Sequence, residues 1–319
     1  MRNHFFIFLL SVMVISCDFS SDQPIDVSGV DLEVSVSRFD LDFYNTETNT
    51  LSETKRKYPL FFPENVPDSV WIEKQYNTDE RELFTEVQKI YADFSVVKEE
   101  LTTLFKYITF YNPKFKTPSI ITLLSNIDYV SKVIYTKDLL LISLDVYLGN
   151  EHPFYDNFPK YIKQNYHQEH IVVDVATAII NTQVSQSTNR TFLGKIIEAG
   201  KKMYLLDVYL PEIVDEEKIG YEKKKLEWAK YNESQIWKYF IENELLYSTD
   251  TKLNKRFIDD APFSKFYRSE DNLSPGRIGV WFGWKIVRSY MKHNDIPLQR
   301  LLKTESEEIF KKSKYKPKK

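Results

Sequence analysis

The strongest candidate for a reactive centre is a histidine and a carboxylate four positions apart. His170 and Asp174 lie in a stretch, 168–184, whose apolar spacing predicts a helix. Residues four apart share one helix face, and such a pair can bind zinc. A catalytic zinc site uses about three protein ligands, however, and this spacing is common by chance. The pair is therefore interpreted as structural or surface residues, with a metal site using His170 and Asp174 as the alternative.

Other common catalytic arrangements are missing from the sequence. It contains no G-x-S-x-G elbow, Walker A loop or G-x-G-x-x-G fingerprint, and its one cysteine excludes a thiolate-rich zinc site. Acidic clusters in a chain with 28% charged residues are expected to be solvated surface. The net charge of −3 gives no electrostatic basis for binding nucleic acid. The sequence therefore predicts no catalytic residue, no cofactor and no nucleic-acid partner.

A dense pattern of small and aromatic residues runs from 274 to 291. Gly279 and Gly283 would leave one helix face bare, at a cost of about 1 kcal/mol each relative to alanine. Such a face lets another backbone approach closely, which favours a tightly packed core helix. The alternative is a groove that binds a peptide or glycan. The residues of that groove would be Arg277, Gly279, Trp281, Gly283, Trp284 and Arg288.

The only cysteine follows an apolar N-terminal stretch. A short start with one arginine and no acid precedes apolar residues at 5–15, and Ser16 precedes Cys17. This order is typical of a signal peptide that ends in a bacterial lipobox, with cleavage before Cys17 and lipidation of its side chain. We predict a signal peptide at 1–16 and a lipidated tether at 17–28, held stably on a membrane by several acyl chains. The alternative is an ordinary secretory signal with an incidental cysteine.

A lipidated cysteine predicts a location in the cell envelope. No later stretch has about 18 consecutive apolar residues, so the lipid would be the only membrane anchor. A chain without a second cysteine also suits an oxidising compartment. We expect a periplasm-facing protein on either the inner or the outer membrane. The tail at 311–319 holds six lysines and is either a solvated terminus or a contact with anionic lipid headgroups.

The elements that would position these residues are strands in the first half and helices in the second. Alternating apolar and polar residues predict a strand at 30–44, and a polar stretch predicts a loop at 45–56. Further strands are expected at 119–124, 129–135 and 138–147. Helical spacing predicts helices at 83–111 (with or without a break near Ser95), 168–184, 190–209, 222–245, 276–294, 297–302 and 304–313. The fold class is therefore α+β, a small mixed β-sheet followed by a predominantly helical bundle, in one domain over 29–319 with a basic C-terminal tail.

The segment at 274–291, together with the lipobox, resembles the gliding-motility lipoprotein family called GldB. Further matching segments follow in order at 139–149, 195–211, 233–237, 261–263 and 312–317. The resemblance covers nearly the whole chain after Cys17. It implies an envelope lipoprotein that is required for gliding over surfaces and acts with the secretion machinery that delivers adhesins. It implies no reaction.

The layout is also distantly similar to a group of zincin-type metallopeptidases, which carry an H-E-x-x-H helix followed by helices with E-G and P-G-x-x-G-Y-like motifs. Here the first of these helices reads His170-Ile171-Val172-Val173-Asp174, so the glutamate that activates water and the second histidine are both replaced. The second reads Glu198-Ala199-Gly200. This resemblance implies a zincin-like, non-catalytic relative, since fold analogy does not license an activity. The alternative is an envelope zinc-dependent, metallopeptidase-like enzyme that uses the degenerate His/Asp site.

Overall fold

The computed structural model describes residues 25–46, 49–184 and 188–318. The predicted signal peptide, Cys17 and most of the predicted tether lie outside these described residues. The division between tether and domain therefore stays a prediction. Within the described ranges, no helix combines the length and the apolar character that crossing a membrane requires.

A small mixed sheet is formed by the first half of the chain. Its strands are β1 (Val36–Arg38), β2 (Ser119–Leu123), β3 (Val133–Tyr135) and β4 (Leu139–Ser143). They lie in the order β1-β2-β4-β3, with β1 parallel to β2, β2 parallel to β4, and β3 antiparallel to β4. Ile120 and Thr122, two apart on β2, are both fully buried because alternate residues of a strand face the same side.

The first strand is much shorter than the alternation at 30–44 predicts. Only Val36–Arg38 joins the sheet, and the next residues, Phe39–Tyr44, form a helix. Phe39 and Phe43 are four apart, and their ring centroids lie 5.3 Å from each other. Because this spacing places both rings on one helix face toward the core, the helical period overrides the alternation that precedes it.

Fifteen α-helices occur in the described ranges. They are α1 (Phe39–Tyr44), α2 (Leu51–Lys57), α3 (Asp68–Tyr76), α4 (Thr78–Tyr91), α5 (Ser95–Tyr111), α6 (Lys160–Lys163), α7 (Ile171–Gln183), α8 (Phe192–Tyr209), α9 (Asp215–Ile219), α10 (Lys223–Tyr231), α11 (Glu233–Glu242), α12 (Lys252–Phe257), α13 (Ile278–His293), α14 (Leu298–Lys303) and α15 (Ser306–Ser313). Short 3₁₀ turns occupy Pro59–Phe61, Leu144–Val146, Pro153–Tyr155, Gln168–His170 and Asp271–Leu273. The predicted α+β class, with a small sheet early and helices late, is confirmed.

The predicted helix at 83–111 is divided near Ser95, which was one of its two alternatives, and the predicted helix at 222–245 is divided at Asn232. Between α4 and α5, the carboxylate of Asp93 accepts hydrogen bonds from the backbone nitrogen of Ser95 at 2.8 Å and from its hydroxyl at 2.9 Å. Between α10 and α11, the amide of Asn232 donates to the Trp228 carbonyl at 2.9 Å. Short polar side chains that bond to the nearby backbone in this way are favoured at helix boundaries.

The predicted loop at 45–56 is wrong in its second half, where α2 begins. The Thr50 hydroxyl accepts a hydrogen bond from the backbone nitrogen of Glu53 at 3.3 Å. In return, the Glu53 carboxylate accepts one from the backbone nitrogen of Thr50 at 2.9 Å. This reciprocal pair is a capping box, which satisfies two backbone donors at a helix start. A local signal of this kind outweighs the polar composition of the segment.

Helices α8 and α13 cross with their backbones in direct contact. A Cβ atom added to Gly283 would lie 1.6 Å from the carbonyl oxygen of Ile196. One added to Gly200 would lie 2.2 Å from the carbonyl carbon of Gly283. One added to Gly279 would lie 3.0 Å from the Ile196 side chain. The glycines are therefore the residues that permit this approach, at a position where any side chain would separate the helices.

This contact corrects the hypothesis of a groove along the same face. Helix α8 covers the side of α13 that carries Gly279 and Gly283. Trp281 and Trp284 are 2% and 1% exposed, so their rings belong to the core. The segment is the tightly packed core helix that was the other interpretation of the sequence.

The basic tail is partly attached to the body of the protein. Lys311 and Lys312 lie on α15 and pair with Glu307 and Glu308 four residues earlier, at 3.6 and 2.7 Å. The hydroxyl of Tyr315 donates to the buried carboxylate of Glu233 at 2.6 Å. Exposed pairs of this kind contribute little free energy, so Tyr315 is the stronger attachment. Contact of the tail with lipid headgroups stays a prediction.

Candidate functional site

A cleft of about 650 Å³ opens between α7, α8, the end of α9 and the start of α13. Its polar lining includes Lys132, Tyr166, His170, Asp174, Lys218 and Arg277. These residues come from both halves of the chain, so the cleft exists only in the folded protein. From α8 the wall receives Ala199, Lys202, Met203 and Leu206.

His170 and Asp174 face each other at this wall, as their spacing predicts. His170 ends the 3₁₀ turn that leads into α7, and Asp174 lies in the first turn of that helix. The Nε2 atom of His170 is 3.7 Å from Asp174 Oδ1. His170 is almost completely buried, at 5% exposure, so its imidazole requires partners in the protein.

Asp174 is held by two further side chains. Lys132 Nζ lies 2.6 Å from Asp174 Oδ2, and the Tyr147 hydroxyl donates to the same oxygen at 2.8 Å. Burial, together with the charge of Asp174 and this hydrogen bond, raises the pKa of Tyr147 well above its ordinary value. The Tyr147 hydroxyl therefore keeps its proton at neutral pH and donates this hydrogen bond to Asp174. Because of these contacts, Asp174 acts as an anchoring group for β3, the strand that follows Lys132, and for α7.

A second histidine and a distant glutamate, which do not themselves line the cleft, form a cluster with His170. His170 Nδ1 lies 2.6 Å from Glu217 Oε1, and His167 Nε2 lies 3.7 Å from that oxygen. One ligand atom from each of His167, His170 and Glu217 lies within 4.8 Å of the others. Burial raises the pKa of Glu217, but the hydrogen bond to His170 and the charges of both histidines outweigh it, so the net pKa is lowered.

Helix α9, which carries Glu217, is fixed in place by a charged network. Arg288 donates to both oxygens of Asp207 at 2.7 and 2.6 Å, and to both oxygens of Asp215 at 2.7 Å. Trp284 Nε1 donates to Asp207 at 2.7 Å, and Lys218 Nζ lies 3.2 Å from the same carboxylate. The guanidinium carbon also lies 3.7 Å from the centroid of the Trp284 ring. Arg288 is thus a positioning residue that joins α8, α9 and α13.

The remaining residue of the predicted groove, Arg277, does lie at the cleft. It precedes α13 with a φ of 57°, which is unusual for a long side chain. Its Nε atom is 3.5 Å from a carboxylate oxygen of the exposed Asp260. Arg277 also lines a neighbouring cleft of about 290 Å³. The structure therefore separates it from Gly279, Trp281, Gly283 and Trp284, with which the sequence grouped it.

Sequence reasoning missed the glutamate of the cluster. Glu217 lies 47 positions from His170, in an acidic start of a short helix that reads Asp215-Glu216-Glu217. His167, three positions before His170, has no apolar or motif pattern around it that marks it as a ligand. The one local signal for Glu217 is the acidic first turn, which is a common feature of helices and not specific to a site.

Comparison with protein families matches residues 20–317 to the family described as gliding motility protein GldB, a lipoprotein family. The chain belongs to this family, because the match covers nearly its whole length. It is therefore a gliding-motility-related protein, and the lipoprotein family indicates association with the cell envelope. Neither the curated proteins nor the solved structures with which the chain was compared give a match. The similarity to zincins stays a prediction.

Proposed function

We propose that the protein is a lipid-anchored, periplasm-facing component of the gliding machinery, and that it acts by binding other envelope proteins and not by catalysis. Family membership over residues 20–317 supports the role in gliding. The order of charged, apolar and small residues before Cys17 supports the lipid anchor. The proteins that secrete and carry adhesins are the partners that this family resemblance favours.

The main support for a non-catalytic role is the residue at position 171 and its environment. In an H-E-x-x-H site, the residue after the first histidine is the glutamate that takes a proton from zinc-bound water. Ile171 is fully buried and offers no acid or base. Asp174, at the position of the second histidine, forms an ion pair with Lys132 and accepts a hydrogen bond from the Tyr147 hydroxyl. These contacts favour a structural use of the helix start.

A binding role is supported by a polar group that the cleft leaves unsatisfied. Tyr166 lines the cleft and is 2% exposed. Its hydroxyl has no hydrogen-bond partner among the described residues. Buried polar groups are usually paired, and an unpaired one costs about 1–3 kcal/mol. A polar group of a bound partner segment would relieve that cost if binding opened the wall beside this hydroxyl, which is fully buried in the structure.

The alternative function is an envelope zinc-dependent, metallopeptidase-like enzyme that uses His170 and Asp174. The experiment that separates the two is a cleavage assay on the full chain purified in detergent, with and without added zinc. Unfolded protein and a peptide library serve as substrates, and mass spectrometry detects the products. We expect no cleavage above that of chelator-treated protein.

Cleavage that requires zinc and is lost in His170→Ala would contradict the non-catalytic role. The matched control is His293→Ala, because His293 is an exposed histidine whose Nδ1 contacts the Ser289 carbonyl at 2.8 Å, away from the cleft. Cleavage that persists equally in both variants would be assigned to a contaminating peptidase, and the non-catalytic role would stand.

A further inference from the structure

We propose that His167, His170 and Glu217 form a binding site for a divalent transition metal ion such as Zn²⁺. The site lies beside the cleft, and His170 belongs to both. Two imidazoles and one carboxylate are the donor set that zinc uses in many three-ligand sites. The ligand atoms already lie within 4.8 Å of one another in the folded chain. The site differs from the sequence-based pair, because Asp174 is not among its ligands.

The distances are close to those that a tetrahedral ion requires. With zinc bonds of 2.0–2.2 Å in a tetrahedral site, neighbouring ligand atoms are separated by about 3.3–3.6 Å. The contacts of Glu217 Oε1 with His170 Nδ1 at 2.6 Å and with His167 Nε2 at 3.7 Å lie on either side of that range. All three ligand atoms lie within 4.8 Å of one another, so side-chain rotations without movement of the backbone would bring them around one ion. Water or a group from a bound partner would take the fourth position.

A second, independent observation is the orientation of both imidazoles. Metal-binding histidines usually direct their other ring nitrogen at a carboxylate, which fixes the ring and strengthens its donor atom. His170 Nε2 faces Asp174 Oδ1 at 3.7 Å. His167 Nδ1 faces Glu169 Oε2 at 3.0 Å. Each histidine thus has an outer carboxylate on one nitrogen and turns the other nitrogen toward Glu217.

The cluster is buried on the side of His170 and partly exposed on the side of His167 and Glu217. A metal ion could therefore enter from solvent and would be largely shielded from water once bound. The His170 side chain is 6% exposed, whereas those of His167 and Glu217 are 25% and 23% exposed. The bound ion would connect the segment before α7 with α9. Tyr166 and Lys218, next to two of the ligands, line the cleft. The metal would therefore set the distance between two walls of the cleft, whether or not any reaction occurs there.

Zinc binding to the full chain in detergent tests this site. Metal is removed with a chelator, zinc alone is titrated back, and binding is followed by calorimetry and by elemental analysis after gel filtration. We expect about one zinc per chain. His167→Ala and Glu217→Gln should each weaken the affinity by at least about tenfold, and Asp174→Asn by about tenfold through the outer shell.

The matched control is His152→Ala. His152 also faces a carboxylate, with Nε2 3.5 Å from Glu86 Oε2, but it is not part of the three-residue cluster. Its removal should leave zinc affinity unchanged. Circular dichroism verifies that each variant is folded, and His167, at the edge of the cluster, keeps the test valid if Glu217→Gln does not fold. Absence of stoichiometric zinc, or equal affinity of His167→Ala and the wild type, would overturn the proposal.

Discussion

Individual carboxylates stabilise this fold because each accepts hydrogen bonds or forms ion pairs with several side chains at once. Asp207 accepts hydrogen bonds from Trp284 and Arg288 and lies next to Lys218. Asp174 similarly joins Lys132 and Tyr147. Charge-assisted hydrogen bonds are stronger than neutral ones, and breaking a partly buried network leaves uncompensated charge. At the residue scale, the shape of the cleft therefore depends on the ionised state of a few acids.

Asp215 provides a prediction about pH. Hydrogen bonds and charge from Arg288, with a smaller effect of Lys218, lower the pKa of Asp215 below its ordinary value of 3.8, although burial acts in the opposite direction. A lowered pKa in the folded state means that the unfolded chain binds more protons near that pH. The stabilisation is therefore fully present above the ordinary pKa and is lost as pH falls through the folded value.

Asp215→Asn should reduce the free energy of unfolding at pH 7 by about 1.5–3 kcal/mol, the range for a hydrogen bond to a charged group. The difference from wild type should shrink below about pH 4. Urea unfolding of the full chain in detergent at pH 7 and pH 3 measures it. Asp68→Asn is the control, because Asp68 is 60% exposed where it pairs with Lys55. An equal difference at both pH values would show that Arg288 does not act through the charge of Asp215.

At the scale of elements, the helices of the second half could be predicted from the sequence. The predicted 168–184, 190–209 and 276–294 correspond to Ile171–Gln183, Phe192–Tyr209 and Ile278–His293. Long apolar faces repeat the helical period often enough to locate both ends. The prediction of a strand at 30–44 was wrong because a short alternating stretch is followed directly by aromatic residues at helical spacing.

In the candidate site, too, the sequence predicts contacts within one helix but not contacts between distant segments. His170 and Asp174 share a face because they are one helical turn apart, which sequence spacing alone determines. Glu217 reaches His170 only because Arg288 and Lys218 hold α9 against α8 and α13. That arrangement depends on tertiary contacts over more than 70 positions, such as the one between Arg288 and Asp215. No local pattern distinguishes Glu217 among the 46 acidic residues of the chain.

The crossing of α8 and α13 gives a prediction at this scale. In Gly283→Ala, the new Cβ atom would lie 1.6 Å from the Ile196 carbonyl oxygen, which belongs to a helix backbone and cannot rotate away. The helices must separate, so we expect the free energy of unfolding to fall by about 3 kcal/mol or more, the upper range for overpacking. Thermal and urea unfolding followed by circular dichroism measure this loss.

Gly29→Ala is the control for that experiment. A Cβ atom at Gly29 would have no neighbour within 4 Å, so stability should change by no more than about 0.5 kcal/mol. Similar stability of Gly283→Ala and Gly29→Ala would mean that the two helices do not approach as closely as the structure describes.

At the scale of the whole molecule, the proposed lipid anchor would attach the folded body to a membrane. The family match begins at residue 20, three positions after Cys17, and continues to residue 317. A lipid on Cys17 would therefore attach to the chain just before the region that defines the family. Each buried CH₂ group of an acyl chain contributes about 0.8 kcal/mol, and two or more chains are needed for a stable anchor. Membrane retention should consequently depend on this one side chain.

Cys17→Ala tests that dependence in gliding cells that express the variant in place of the wild-type protein. The substitution removes the thiol that receives the lipid, so we expect the variant to leave the membrane fraction and colony spreading to be lost. Ser16→Ala is the control, because it keeps a small residue before the cysteine and should preserve both retention and spreading. Immunoblots of membrane and soluble fractions verify the amount and position of each variant. Normal spreading by a membrane-free Cys17→Ala variant would show that the body acts without its anchor. Retention of that variant in the membrane after loss of the signal peptide, seen as a smaller band on the immunoblot, would show that a protein contact holds it there instead of a lipid.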